Sequence, residues 1–296
     1  MVAEYRHIGP HLLRDLSRDY GDIKRAYIEV AKAKRELYHP DLGLDGVIDL
    51  AEHVKDAVHE SFPKTELSPR QIDKEAVSTL FETIKDNNGG LILMRHGVQS
   101  VAEEERRLLE DPHRKIRLMQ LPYNFDDPAS AQSVAEASSL AIIMMHISKL
   151  NNIPVEIITS GNRRAAEIGA VMSVSNSFHV AGDDRLTCVN YPTDKTDEEL
   201  DLLLGRENKG SLVWERGKID SVCGVGTFDQ ISSNIGSLVS EYQYMPRLTV
   251  GITHTPQTNA ADLIAGDNPI RMPELGMRLF SGNESIRFPS NIFIAS

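Results

Sequence analysis

The sequence predicts an α/β fold, a three-layer αβα sandwich with a mostly parallel sheet, preceded by an N-terminal helical extension. From residue 91 onward, short apolar runs alternate with amphipathic stretches, as in domains built around a parallel sheet. Before that point helical patterns dominate, and strand-like alternation is nearly absent. We therefore expect a helical extension over residues 1–88 and an α/β domain over residues 89–296.

The predicted elements follow from these patterns. Three apolar runs are the expected strands: LILMRHG (91–97), VEIITSG (155–161) and RLTVGITH (247–254). The helices expected beside them lie at about 129–150, 163–174 and 227–242. In the extension, DIKRAYIEVAKAKREL and QIDKEAVSTLFETIKD have helical periodicity; Ser68-Pro69 predicts a helix start, and the run from Asn87 to Gly90 predicts a helix end.

Composition narrows the classes of function. The chain of 296 residues has a formal net charge of -11, which argues against nucleic-acid binding because that binding needs many lysines and arginines. Cys188 and Cys223 are too few for a disulfide framework and lack zinc-site spacing. With no leader-like start and no apolar run of membrane-spanning length, we expect a cytoplasmic protein that does not contact a membrane.

Polar residues follow each predicted strand. Arg95 and His96 end the first strand, Ser160 and Arg164 follow the second, and His254 ends the third. In open α/β sheets, ligands bind beyond the carboxyl ends of the strands. The sequence therefore predicts that these five side chains converge in one crevice.

Two guanidinium groups and two imidazoles around one point favour a dianionic ligand. A phosphoryl group matches both the charge and the bidentate geometry of arginine. Phosphoryl transfer needs little beyond positioning and charge stabilisation, so a nucleophilic His96 in a basic cradle suffices without a metal. We expect no cofactor and no metal.

Three ordered blocks carry a family resemblance. Arg95-His96-Gly97, Thr159-Ser160 followed by Arg164-Ala165, and the strand ending in His254 resemble the histidine phosphatase superfamily, which includes the phosphoglycerate mutases. The resemblance covers roughly residues 90–296. It implies an αβα domain in which His96 becomes a phosphohistidine, while Arg95, Arg164 and His254 hold the phosphate.

The candidate substrate-binding set is completed by Gln99, Ser160 and Thr255. Gln99 is at most a substitute contact, because Ala102 stands where the mutases place an asparagine. Gln99 and Thr255 also suit loop-structuring roles, since polar side chains at strand ends often satisfy the backbone.

The sequence departs from the family pattern at the expected proton donor. A glutamate usually follows the second arginine in an "RL, any residue, E" block, but here DDRLTCVNYP puts Cys188 at that position. A carboxylate from elsewhere would replace it, with Asp183, Asp184 or Glu103 as candidates. General acid catalysis typically raises the rate about 10²- to 10⁴-fold. Without a proton donor, the substrate would therefore need a good leaving group, or the domain would bind phosphate without turnover.

The favoured interpretation is a phosphatase acting on a small phosphorylated metabolite through a phosphohistidine at His96. Two alternatives remain open: a catalytically impaired phosphate-binding or regulatory module, and a phosphotransferase of the phosphoglycerate mutase type. The helices of residues 1–88 would pack on the domain, roof the site or mediate self-association into a homo-oligomer.

Overall fold

The computed structural model describes residues 20–62, 68–97, 129–161, 163–187, 226–268, 276–288 and 292–293. In these ranges the chain forms seven α-helices and six strands. The helices are α1 (Tyr20–Leu37), α2 (Leu44–Glu60), α3 (Lys74–Asn87), α4 (Ala131–Asn151), α5 (Arg163–Asn176), α6 (Thr227–Tyr242) and α7 (Thr255–Ile264). The strands are β1 (Gly90–Arg95), β2 (Val155–Thr159), β3 (His179–Gly182), β4 (Leu248–Thr253), β5 (Met277–Ser281) and β6 (Glu284–Phe288).

The six strands form one mixed sheet in the order β3-β2-β4-β1-β5-β6. Strands β1 to β4 are parallel to one another, and β5 and β6 add an antiparallel hairpin beside β1. The first and third predicted strands, β1 and β4, are neighbours at the centre. Their carboxyl ends, where Arg95 and Thr253 are in register, therefore lie at the same edge of the sheet.

Helices cover both faces of the sheet. Successive side chains of β1 point to opposite faces, as in any strand: Ile92 and Met94 pack with helices α1 to α5, whereas Leu91 and Leu93 pack with α6 and α7. This arrangement is the predicted three-layer αβα sandwich with a mostly parallel sheet.

Helices α1 to α3 share the larger hydrophobic core with the sheet. Val30, Val54 and Leu80 are fully buried in the same cluster as Ile92 of β1 and Ile143 of α4. The helices before residue 88 thus pack directly on the α/β layers. Their division from the rest as a separate unit stays a prediction.

The boundaries of α3 show where sequence signals succeed and fail. The helix ends as predicted, because Asn88 takes a left-handed conformation with φ of 58° and its N–H bonds the carbonyls of Ile84 and Lys85. It begins later than Ser68-Pro69 predicts, at Lys74, capped by the side chain of Asp73. The preceding Ile72 instead forms a β-bridge with Phe293.

Within the described ranges, none of the helices combines the length and the apolar character needed to cross a membrane.

Candidate active site

The carboxyl end of β1 presents Arg95 and His96 at the centre of the sheet edge. The backbone N–H of Arg95 donates to the Gly276 carbonyl at 2.9 Å, and that of His96 donates to the Thr253 carbonyl at 2.9 Å. The His96 side chain is only 6% exposed. Both residues are therefore held by the neighbouring strands rather than by a free loop.

A single hydrogen bond fixes the tautomer of His96. Its Nδ1 lies 2.7 Å from the carbonyl oxygen of Gly97, the next residue. A carbonyl oxygen only accepts, so Nδ1 carries the proton. In the neutral ring Nε2 then keeps its lone pair.

His254 faces His96 from the end of β4. The two ring centroids lie 4.7 Å apart, with the planes inclined by 60°. His254 is also the N-cap residue of α7. Its Nε2 lies 3.0 Å from the hydroxyl of Ser160, which follows β2 and is fully buried. Neighbouring strands β2, β4 and β1 thus each supply one of these three side chains.

The surroundings keep both histidines neutral. Burial lowers the pKa of His254 from 6.5 to about 3, with further lowering from the positive charges of Arg164 and Arg95. Burial also lowers the pKa of His96 well below its usual value, and His254, Arg164 and Arg95 add to that effect. Because both guanidinium groups act on both rings, the two arginines and the two histidines form one charged cluster. Arg164, in the first turn of α5, is partly buried.

Helix α4 approaches the crevice at Gly97. A Cβ at this glycine would lie 2.1 Å from Oγ and 2.2 Å from Cβ of Ser133, in the first turn of α4. Ser130 caps the helix by accepting the backbone N–H of Ser133. The sequence analysis missed Ser133, although Ser130 before an apolar run is a recognisable helix start.

The candidate proton donors lie in different surroundings. Asp183 accepts hydrogen bonds from Nε and Nη2 of Arg185 and is only 9% exposed. Burial opposes the charge of Arg185, but its bonds to Asp183 and Glu241 raise its pKa overall. Asp183 is therefore held as the anionic partner of an ion pair. Asp184, beside it in a short 3₁₀ turn, is exposed.

Some predicted residues lie outside the described ranges, namely Gln99, Ala102, Glu103 and Cys188. Thr255 is the first residue of α7, directly after His254, and is partly buried. Ser160, His96 and His254 are thus joined by direct contacts. Arg95 and Arg164 lie near enough for their charges to lower the pKa of both histidines.

No protein-family model matches this chain, and no curated protein matches it. A phosphoserine phosphatase from Entamoeba histolytica, in complex with 3-phosphoglyceric acid, is 17% identical with a TM-score of 0.43, over 67% of this chain and 94% of that chain. A mycobacterial glucosyl-3-phosphoglycerate phosphatase is 15% identical with a TM-score of 0.44, over 67% of this chain and 95% of that chain. A mycobacterial hydrolase is 16% identical with a TM-score of 0.41, over 64% and 89% respectively. The proposals below rest on the side chains of the site.

Proposed function

We propose that this protein is a phosphatase of the histidine phosphatase type, which hydrolyses a small phosphorylated metabolite through a phosphohistidine at His96. The observation that carries the proposal is the hydrogen bond from Nδ1 of His96 to the Gly97 carbonyl, at 2.7 Å. It leaves Nε2 unprotonated, as a nucleophile requires. A histidine that served only to bind phosphate would instead need an N–H directed at the ligand.

The charges around His96 suit an anionic phosphoryl group. Arg95 and Arg164 act on both His96 and His254. In the free protein, burial first and these positive charges second keep the rings neutral. A bound phosphate dianion offsets that field and offers oxygens that the guanidinium groups and His254 hydrogen-bond.

The reaction then has two steps. Nε2 of His96 attacks phosphorus, a bond forms between nitrogen and phosphorus, and the bond to the leaving oxygen breaks. Water next attacks phosphorus, a bond forms between oxygen and phosphorus, and the bond between nitrogen and phosphorus breaks. Inorganic phosphate leaves with one proton of the water, the other passes to phosphate or solvent, and the neutral His96 ring is restored. Throughout, the Gly97 carbonyl accepts a hydrogen bond from Nδ1–H and so stabilises the positive charge that the ring gains.

The leaving oxygen needs a proton unless it departs as a stable anion. Both carboxylate oxygens of Asp183 accept hydrogen bonds from Arg185, whose Nη2 lies 2.7 Å away, so this carboxylate is already occupied by a partner. We therefore expect faster turnover with phosphate esters of acidic alcohols or phenols than with alkyl esters. A module that binds phosphate without turnover is the second candidate. The contact of Asp183 with Arg185 favours it, because it leaves Asp183 engaged with another partner.

Hydrolysis of p-nitrophenyl phosphate separates the two candidates, because its leaving group needs little acid assistance. The phosphatase proposal predicts turnover by the wild type, its loss in His96→Asn and its retention in His146→Gln, which changes another buried histidine. Absence of turnover by folded wild-type protein between about pH 4 and pH 8, a range that spans histidine titration, would instead support the binding module.

A further inference from the structure

A second cluster of polar side chains lies at the opposite end of α4 and α5 from the catalytic residues. Five residues form it, and we call it the basic seam: Lys34 near the end of α1, Tyr38 just after it, His146 and Lys149 near the end of α4, and Asn176 at the end of α5. His146 follows Ser133, at the catalytic end of α4, by 13 residues, or about 20 Å along a helix. The basic seam is therefore separate from the crevice.

Contacts divide the five residues into two groups, Lys34 with Asn176 and Tyr38 with His146 and Lys149, and the positive charge of Lys149 acts on Lys34 across them. Nζ of Lys34 donates to Oδ1 of Asn176 at 3.0 Å. Nζ of Lys149 lies 4.4 Å from the centroid of the Tyr38 ring. The same ring meets His146 nearly at right angles, with centroids 6.4 Å apart. The basic seam thus joins α1 to both α4 and α5.

Two neutral side chains in the seam have buried nitrogen atoms that make no hydrogen bond. His146 is 1% exposed, and neither of its ring nitrogens makes a hydrogen bond. Nδ2 of Asn176 is buried and also makes none. Burying such nitrogens unpaired costs free energy, and an acceptor within hydrogen-bond reach of each would remove that cost.

The charged groups of the seam also favour an anion. Burial lowers the pKa of Lys34, and the positive charge of Lys149 lowers it further. Lys149 acts in the same direction on the pKa of His146, after burial. Among the described residues, no carboxylate lies within ion-pairing distance of Lys149. The positive charges of Lys34 and Lys149 therefore repel each other, and no carboxylate of the described residues pairs with Lys149 to reduce that repulsion.

Helix ends alone account for only part of this arrangement. Helices α1, α4 and α5 all end at the seam, and their terminal carbonyls attract lysines. The same carbonyls would also accept from His146 and from Nδ2 of Asn176, yet neither group bonds one. The unused donors therefore need a different acceptor.

We propose that the basic seam binds a small tetrahedral oxyanion, such as inorganic phosphate, sulfate or the phosphate of a metabolite. Lys34 and Lys149 supply the charge, and His146 and Asn176 donate hydrogen bonds to its oxygens. A bound oxyanion ties α1 to the ends of the two helices whose first turns hold Ser133 and Arg164. The site is independent of the proposed phosphatase reaction.

Sulfate is the probe and is added to the full-length protein. Sodium chloride is reduced as sulfate is added, so that the ionic strength stays constant. Ring resonances of His146, assigned with the His146→Gln variant, report binding by NMR. We expect a saturable shift of these resonances in the wild type. The sulfate concentration at half of the shift, the midpoint, should be the same in Arg164→Gln, because this variant weakens anion binding only at the proposed catalytic site.

Two lysine variants give the matched comparison. Lys149→Met is expected to raise the sulfate midpoint about tenfold or more, the loss typical of a charge-assisted hydrogen bond. Lys85→Met is the control, because Lys85 also lies in the last turn of a helix and over an aromatic ring, that of Phe81 at 6.0 Å. Lys85→Met should leave the midpoint unchanged.

Asn176→Asp places a fixed carboxylate at the seam. We expect this variant to lose the sulfate response and to melt at a higher temperature than the wild type without sulfate. A saturable shift that survives Lys149→Met unchanged, or no saturable shift in the wild type, would overturn the proposal. So would a shift abolished by Arg164→Gln, since His146 would then report the catalytic crevice from a distance.

Discussion

At the scale of single residues, the state of His96 and His254 follows from what surrounds them. Each ring is buried, and each lies in the field of Arg95 and Arg164. Free histidine is half protonated near pH 6.5, whereas these rings stay neutral well below that pH. A neutral His96 is available for attack without a separate base to deprotonate it.

The low pKa of His254 predicts a specific dependence of stability on pH. The unfolded chain binds a proton below about pH 6.5, and the folded protein binds it only near pH 3. Stability is therefore lost as the pH falls through this window. Between pH 7 and pH 5 the free energy of unfolding, measured with urea, should fall by about 2 kcal/mol more in the wild type than in His254→Gln. Equal losses in the two proteins would show that His254 is protonated in the folded state.

At the scale of elements, the crevice depends on close packing between the end of β1 and the start of α4. Gly97 leaves no room for a side chain, because Ser133 occupies the position of its missing Cβ. The same glycine supplies the carbonyl that fixes the His96 tautomer. Packing of α4 and orientation of the proposed nucleophile are thus coupled at one residue.

Gly97→Ala tests this coupling. We expect it to destabilise the protein by about 1 to 3 kcal/mol, the usual cost of overpacking, and to slow turnover. Ser133→Gly removes the two atoms that clash, so the double variant should be more stable than the sum of the single effects predicts. Unfolding by urea and turnover of p-nitrophenyl phosphate measure both effects. Strict additivity would contradict direct contact between the two positions.

At the scale of the whole molecule, a buried ion pair links the segment before α3 to α4. Nη2 of Arg70 lies 2.8 Å from Oε2 of Glu136, and their side chains are 11% and 2% exposed. Glu136 also accepts from the backbone N–H of Arg70 and from Gln132. Together with the shared hydrophobic core, this pair ties the N-terminal helices to the α/β layers.

Arg70→Met leaves the Glu136 carboxylate buried without its ionic partner. We expect the free energy of unfolding to fall by about 3 to 5 kcal/mol, as for other buried pairs that lose one member. Helices α1 to α3 and the sheet should still unfold together in a single transition. Arg70→Met/Glu136→Leu should recover most of the loss. Two separate calorimetric transitions in the wild type would show that the N-terminal helices unfold as an independent unit.

Local patterns in the sequence predicted much of the fold and of the candidate site. The apolar runs of β1, β2 and β4 and the polar residues after them are contiguous in the chain, so their positions followed from the patterns. The hairpin of β5 and β6 was missed, although its two-residue Gly282-Asn283 connection is a known hairpin signal.

Contacts between distant segments were beyond prediction. Arg185 holds Asp183 together with Glu241, which lies 56 residues further along the chain. No local pattern connects these residues, so the hydrogen bonds that occupy Asp183 could not be predicted from the sequence. Before α3, Ile72 likewise pairs with the distant Phe293, a contact that no local pattern predicts, whereas the N-cap Asp73 is a local signal that the prediction missed.

The central claim is that His96 carries the phosphoryl group, and trapping that intermediate tests it most directly. Wild-type protein would be mixed with p-nitrophenyl phosphate, quenched in alkali, where phosphohistidine survives, and digested for mass spectrometry. We predict a phosphoryl group on the peptide that contains His96, and none on that peptide in His96→Asn. Undiminished turnover by His96→Asn, with no phosphorylated peptide in the wild type, would contradict the account.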